Sequence, residues 1–221
     1  MSIMAPDTTP VTLLPRVYFI SDGEANTNPL ILLKHLTLLP HSLPCIVQIR
    51  EKQLTTRSLF ELAVESKALL QSKNALIIIN ERVDIALAAL SNGVHLPENA
   101  CSPYLVRPFA PRMLIGCSVH SAESLRRAED AGADYLLVSP IFETPSKRQY
   151  GAPQGLKKLG LLCNMTSLPI FALGGISLEN AGYCVAEGAY GIAGISLFKE
   201  LAQNPMIFID TLNHLYSKKT L

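Results

Sequence analysis

Eight short runs rich in β-branched and aliphatic residues recur along the chain, at 16–21, 45–50, 75–80, 93–96, 113–119, 134–139, 169–174 and 190–196. They are apolar almost throughout instead of alternating, which is the pattern of parallel strands whose outer face is covered by helices. Between them lie segments with helical spacing, notably 56–72, 83–90, 121–131 and 178–187, with Ser121 and Ser177 in capping positions. Neither Ser121 with Ser124 nor Ser177 with Asn180 supplies the Glu or Gln of a capping box, so no box is expected at either helix. Strand and helix repeated eight times, joined by right-handed crossovers, predict one closed (β/α)8 barrel over 16–221 behind a flexible leader, 1–15. An open doubly wound sheet is the alternative, weakened because no Gly-rich dinucleotide fingerprint follows the first run.

Composition narrows the function. A chain of 221 residues fits one barrel, and 48% apolar with 17% charged residues is enough for a large core. With 19 basic and 18 acidic residues the net charge is +1, so no field gathers nucleic acid or an anionic membrane. No apolar stretch reaches the roughly 18 residues of a membrane span, and a cytoplasmic location is expected. Cys45, Cys101, Cys117, Cys163 and Cys184 are scattered, without a C-x-x-C pair, and read as small buried hydrophobes. The basic end, 218–221, reads as a solvated fringe. Barrels of this size often form homodimers, and the sequence leaves the oligomer open.

In such barrels the reactive groups sit at the carboxyl ends of the strands. The seventh run ends in Gly174-Gly175-Ile176-Ser177 and the eighth in Gly194-Ile195-Ser196-Leu197, placing small residues where backbone amides could converge on a phosphate. The second run ends Gln48-Ile49-Arg50-Glu51-Lys52; alternation turns Gln48 and Arg50 into the mouth, with Lys52 at its rim. An inward Arg needs an anion, or a structural acid such as Glu81. The third to fifth runs end at Asn80-Glu81, His95 and Ser118-Val119-His120. His95 and Cys117 read as packing groups, and His120 as either a core or a catalytic group. After the sixth run, Thr144, Ser146 and Lys147 could clamp a phosphate.

Taken in order, Val47-Gln48-Ile49-Arg50-Glu51-Lys52, Asn80-Glu81-Arg82-Val83-Asp84-Ile85-Ala86, Gly93-Val94-His95-Leu96, Ser118-Val119-His120-Ser121, Thr144-Pro145-Ser146-Lys147 and Gly174-Gly175-Ile176 resemble the thiamine-phosphate synthase and thiazole tautomerase superfamily. The resemblance implies a synthase that joins a pyrimidine methyl diphosphate to a thiazole phosphate and releases pyrophosphate. By it, Gln48, Arg50, Lys52 and Asn80 face the diphosphate, Thr144, Ser146 and Lys147 close over the anions, and Gly174, Gly175, Ile195 and Ser196 hold the thiazole phosphate. The synthase branch also implies Mg2+ on acidic residues, here Glu81 and Glu98.

The chain departs from the synthase pattern where that branch carries its second carboxylate, because this position is Ala100. The Leu-Pro after His95, the Ser118-Val119-His120-Ser121 stretch and Phe142-Glu143-Thr144 resemble the thiazole tautomerase branch more closely. That branch implies a proton shift without a metal or other cofactor, on a small phosphorylated substrate. Its usual acid/base His is replaced by Pro140, which leaves His120 and Glu81 as the candidate proton carriers. A silent phosphate-binding sensor or scaffold is the third reading, motivated by Ala100 and Pro140.

Overall fold

The computed structural model describes residues 13–144 and 152–217. Eight strands, β1 (Val17–Ile20), β2 (Cys45–Ile49), β3 (Ala75–Asn80), β4 (Gly93–Leu96), β5 (Leu114–Val119), β6 (Tyr135–Val138), β7 (Ile170–Leu173) and β8 (Gly191–Gly194), pair in parallel in chain order. β8 returns to β1, with Val17 against Ile192, so the sheet closes and the open-sheet alternative is set aside. The helices among the described residues are α1 (Pro29–Leu38), α2 (Thr56–Leu70), α3 (Val83–Ala88), α4 (Pro103–Val106), α5 (Ala122–Asp130), α6 (Gly155–Cys163), α7 (Ala181–Ala186), α8 (Leu197–Gln203) and α9 (Pro205–Ser217).

Closure explains the continuous apolar runs, because each strand is buried on both faces. Phe19, Val47, Ile79, Val94, Ile115 and Val138 face the helices, while Tyr18, Ile20, Ile46, Ile78, Tyr135, Leu137, Phe171 and Ala193 fill the inside. The interior is packed as large against small. Gly116 stands in register with Tyr135, and a Cβ on Gly116 would lie 2.0 Å from Cζ of that ring. Tyr135 in turn meets Phe171 edge-on at 5.8 Å between ring centres.

Deep in this layer the Tyr18 and Tyr135 hydroxyls bond to each other at 2.9 Å, both residues being fully buried. Burial pushes both phenols upward, so neither ionises in the folded protein. Tyr135→Phe is expected to cost about 1–3 kcal/mol, because it strands the Tyr18 hydroxyl without a partner. The double change Tyr18→Phe with Tyr135→Phe should cost less than the two single changes summed, as read by urea denaturation.

Two local expectations are corrected. A capping box does open α5: Ser121 Oγ accepts from the Ser124 amide at 3.1 Å, and Ser124 Oγ accepts from the Ser121 amide at 3.0 Å. A serine can reach back to the capping amide when the turn is tight, although Glu or Gln is the usual partner. α7 begins at Ala181, later than the expected 178, because the Asn180 carboxamide oxygen holds the Ser177 amide at 2.9 Å and folds 177–180 into a turn. Of the cysteines, Cys45, Cys117 and Cys184 are buried and Cys163 is partly covered, whereas Cys101 is exposed on the loop before α4. At the amino end of the barrel, α9 packs its Tyr216 over the Arg16 guanidinium, and the Tyr190 hydroxyl donates to the Leu14 carbonyl. Residues 1–12 of the expected leader and the basic end, 218–221, lie outside the described residues.

Candidate functional site

The inward parity of the strands delivers a set of polar side chains to the carboxyl-end mouth. Gln48 comes from β2, Asn80 from β3, His95 from β4 and Ser118 from β5, with Asn80 in register with His95. Gln48 is 1% exposed and His95 is 2% exposed. His95 Nε2 bonds to Ser118 Oγ at 2.8 Å, and its ring lies over Tyr135. Yet Gln48 Nε2 and His95 Nδ1 are buried with no partner. Buried polar atoms in native proteins are almost always satisfied, so two orphans in one mouth mark a place prepared for a polar guest.

Burial, reinforced by the Arg50 charge, lowers the His95 pKa to about 3, and the ring is therefore neutral at physiological pH. An unfolded histidine titrates near 6.5. Between those two values the unfolded chain holds the extra proton, so this group adds stability as pH rises from about 3 to about 6.5, and the contribution is lost on acidification. From pH 7 to pH 4 the wild type should lose about 3 kcal/mol more than His95→Gln in urea denaturation. Equal acid losses in the two proteins would contradict the neutral, buried ring.

Arg50 is half-buried beside these groups, its amide donating to Ser21 Oγ at 2.8 Å. The structural acid envisaged for it is not there. Glu81 is exposed, donates its amide to the His95 carbonyl at 2.8 Å, and sits in the left-handed region with φ of 64°. Lys52 lies exposed in the turn past β2. Glu51, at 3% exposure, accepts from the Gly23 amide at 3.3 Å and so ties the turn after β1 to β2; burial raises its carboxyl pKa.

The loops after β7 and β8 meet on the same face. Ser196 Oγ donates to the Ile176 carbonyl at 3.2 Å, and Asn180 Nδ2 donates to the Gly175 carbonyl at 2.8 Å. Gly174 and Gly175 have φ of 96° and 67°. A Cβ on Gly175 would come within 2.8 Å of Phe142 Cβ and 2.9 Å of the Glu143 carbonyl, so only glycine fits. Ile195 and Ser196 are exposed at the rim, and the Phe142 amide donating to the Gly174 carbonyl at 2.9 Å brings the post-β6 segment alongside. Thr144 ends this described stretch; Ser146 and Lys147 lie outside the described residues.

His120 occupies a separate corner. Its Nδ1 is 2.7 Å from the Ser139 carbonyl, and its Nε2 is 3.7 Å from Glu98 Oε2. Gln154 Nε2 also donates to the Ser139 carbonyl, and Lys158 Nζ donates to the His120 carbonyl at 2.7 Å. The carboxylate beside His120 is Glu98, because the loop after β4 folds back toward α5, where Arg127 holds Glu98 Oε1 at 3.5 Å. Three residues, one in the mouth and two beside His120, escaped sequence reasoning. His95 reads as packing because it sits inside an apolar run, and Ser139 and Gln154 carry no motif at all.

The Mg2+ that the synthase branch implies finds a poor mount here. Among the described residues no group of three or more His, Cys, Asp or Glu is placed to hold an ion. Glu98 is engaged with His120 and Arg127, and Ala100 offers no oxygen, which leaves Glu81 as the available carboxylate of the expected pair. Mg2+ demands near-octahedral oxygen ligands, usually one or two carboxylates completed by substrate phosphates and water, and a lone exposed Glu does not fix that geometry.

A family model described as thiamine monophosphate synthase matches residues 17–198. A protein of Aquifex aeolicus provisionally named thiamine-phosphate synthase 2 is 45% identical over 193 residues, which are 85% of this chain and 99% of that one. The thiamine-phosphate synthase of Methanospirillum hungatei is 40% identical over 173 residues, 76% of this chain and 84% of its own. Among solved structures, the thiamine phosphate pyrophosphorylase from Pyrococcus furiosus superposes with a TM-score of 0.76 at 25% identity, covering 91% of this chain and 96% of that one. These names favour the synthase, and the resemblance to the tautomerase branch has no counterpart in them. No helix among the described residues is long and apolar enough to cross a membrane.

Proposed function

Because the chain belongs to the thiamine monophosphate synthase family, we propose that it acts in thiamine biosynthesis by joining a pyrimidine methyl diphosphate to a thiazole phosphate at the carboxyl-end mouth of the barrel. The observation that carries this reading is the buried floor, where Gln48 Nε2 and His95 Nδ1 lack protein partners and await a polar heterocycle. In the coupling, the thiazole nitrogen lone pair forms a bond to the pyrimidine methylene carbon. The bond from that carbon to the diphosphate oxygen breaks, and its electrons leave with pyrophosphate.

The residues divide the work by charge. Arg50 and Lys52, with Asn80 beside them, oppose the diphosphate and favour its departure. The loops after β7 and β8 hold the thiazole phosphate through backbone amides around Gly175 and Ser196, with Thr144 as a hydroxyl donor beside them. The neutral His95 adds no positive charge beside a pyrimidine that becomes cationic as the diphosphate leaves. No step is assigned to Mg2+, since its donor set is incomplete in this chain.

The test is pyrophosphate release from both substrates together, with and without Mg2+. Release that needs both supports the reading. A protein that binds thiazole phosphate but releases no pyrophosphate under either condition overturns it. The second reading, isomerisation of a thiazole carboxylate phosphate, is favoured by one observation: His120 and Glu98 are juxtaposed while Ala100 and Pro140 replace the groups expected of either branch. Binding without either reaction would leave the silent barrel.

A further inference from the structure

The last turns of α2 and the starts of β3 and β4 enclose a cleft of about 400 Å3, within the range of small-molecule sites. It lies at the amino end of the barrel, since Ala75 opens β3 here whereas the mouth residue Asn80 closes it. Val64, Ala68 and Ile77 give it apolar walls, and Lys67 and Lys73 bring in two ammonium groups. Lys67 Nζ donates to the Leu90 carbonyl at 2.6 Å, and Lys73 Nζ donates to the carbonyls of Thr37, at 3.0 Å, and Leu39. These bonds hold both cations in place, so little side-chain freedom remains to be lost on binding. An ammonium has three donors, which leaves two on Lys67 and one on Lys73. No Asp or Glu lines the cleft, and neither lysine forms an ion pair among the described residues.

Leu90 is the second observation. It follows α3 with φ of 52°, a left-handed conformation that is strained for a bulky side chain and that glycine normally supplies at a helix end. Its side chain is 73% exposed, so folding recovers nothing for that strain. Lys67 grips its carbonyl, which sets Leu90 at the edge of the cleft. An apolar group kept strained and exposed beside unpaired cations is accounted for when a ligand covers it.

We propose that this cleft is a second binding site, separate from the mouth, for a small organic phosphate. Its phosphoryl oxygens take the free donors of Lys67 and Lys73, and its apolar body lies against Val64, Ala68 and Leu90. The site stands apart from the coupling reaction, because these residues occupy the opposite end of the barrel.

Phenyl phosphate is the probe, titrated into the full 15N-labelled chain and followed by amide shifts, with inorganic phosphate and benzyl alcohol as the two halves of the ligand. Wild type should show saturable shifts at Ala68, Gln71 and Asn92 with a Kd of about 1 mM, ordinary for a molecule of this size. Each half alone should bind at least about tenfold more weakly. Lys67→Gln should weaken phenyl phosphate about tenfold, the worth of one charged hydrogen bond. Leu90→Gly should weaken it about fivefold while Tm stays at or above that of wild type, a combination that a merely structural leucine would not give. Absence of saturable shifts at the three amides, shifts confined to the turns at Gly175 and Ser196, or affinity unchanged in both variants overturns the second site. Benzyl alcohol binding as tightly as phenyl phosphate overturns the assignment of an anion to it.

Discussion

Replacing Arg50 with Met should lower kcat/KM for the diphosphate substrate by about 300-fold, while the affinity for thiazole phosphate changes by less than about threefold. Arg50 is half-buried, its amide held by Ser21 Oγ, and its charge acts on His95 closely enough to help hold that pKa down to about 3. A cation in that position without a paired carboxylate is tolerated when a substrate anion completes it, and removing one side of a desolvated charge pair costs about 2–5 kcal/mol. At about 1.4 kcal/mol per factor of ten, the middle of that range is the expected loss. Met keeps the aliphatic stem, so packing and folding should survive. Steady-state kinetics with both substrates varied in turn check the prediction. A loss confined to the thiazole phosphate would put Arg50 at the wrong anion.

Gly116→Val should damage the fold severely. Its Cβ would overlap Tyr135, and that ring cannot step aside because it is held by the Tyr18 hydroxyl and bounded by Phe171. Overpacking usually costs 1–3 kcal/mol. Here the clash is with a ring fixed from two sides, and about 3 kcal/mol or more is expected, a fall in Tm of roughly 6–12 °C for a chain of this length. Adding Tyr135→Leu to the variant should restore part of that loss by emptying the contested volume. Calorimetry on both proteins decides the matter, and a second change that restores nothing would show that the strain lies in the backbone.

The barrel was legible because its strands are buried twice over, and a run such as Ala75–Asn80 has no wet face to break it. Mouth residues were legible for a related reason: in β2 the same parity that hides Ile46 inside brings Gln48 and Arg50 inward above it. α1 was harder to see, since Leu30 and Leu38 are apolar yet exposed, which blurs its helical stripe. What no local pattern carries is the meeting of separate loops. His120 and Glu98 are 22 positions apart, and Gln154 approaches from a third loop, so their contacts follow from closure of the sheet and from nothing in their immediate neighbours.

The proposed coupling needs its thiazole phosphate held by the loops after β7 and β8. Calorimetric titration of thiazole phosphate against its dephosphorylated alcohol tests this directly, in wild type and in Gly175→Ala. Two bonds to a charged oxygen at about 1.5 kcal/mol each predict a preference of about 100-fold for the phosphate in wild type. That preference should collapse in the variant, whose added Cβ must displace Phe142 or the turn itself. Equal affinity for phosphate and alcohol in wild type, or a preference that survives Gly175→Ala, would contradict it.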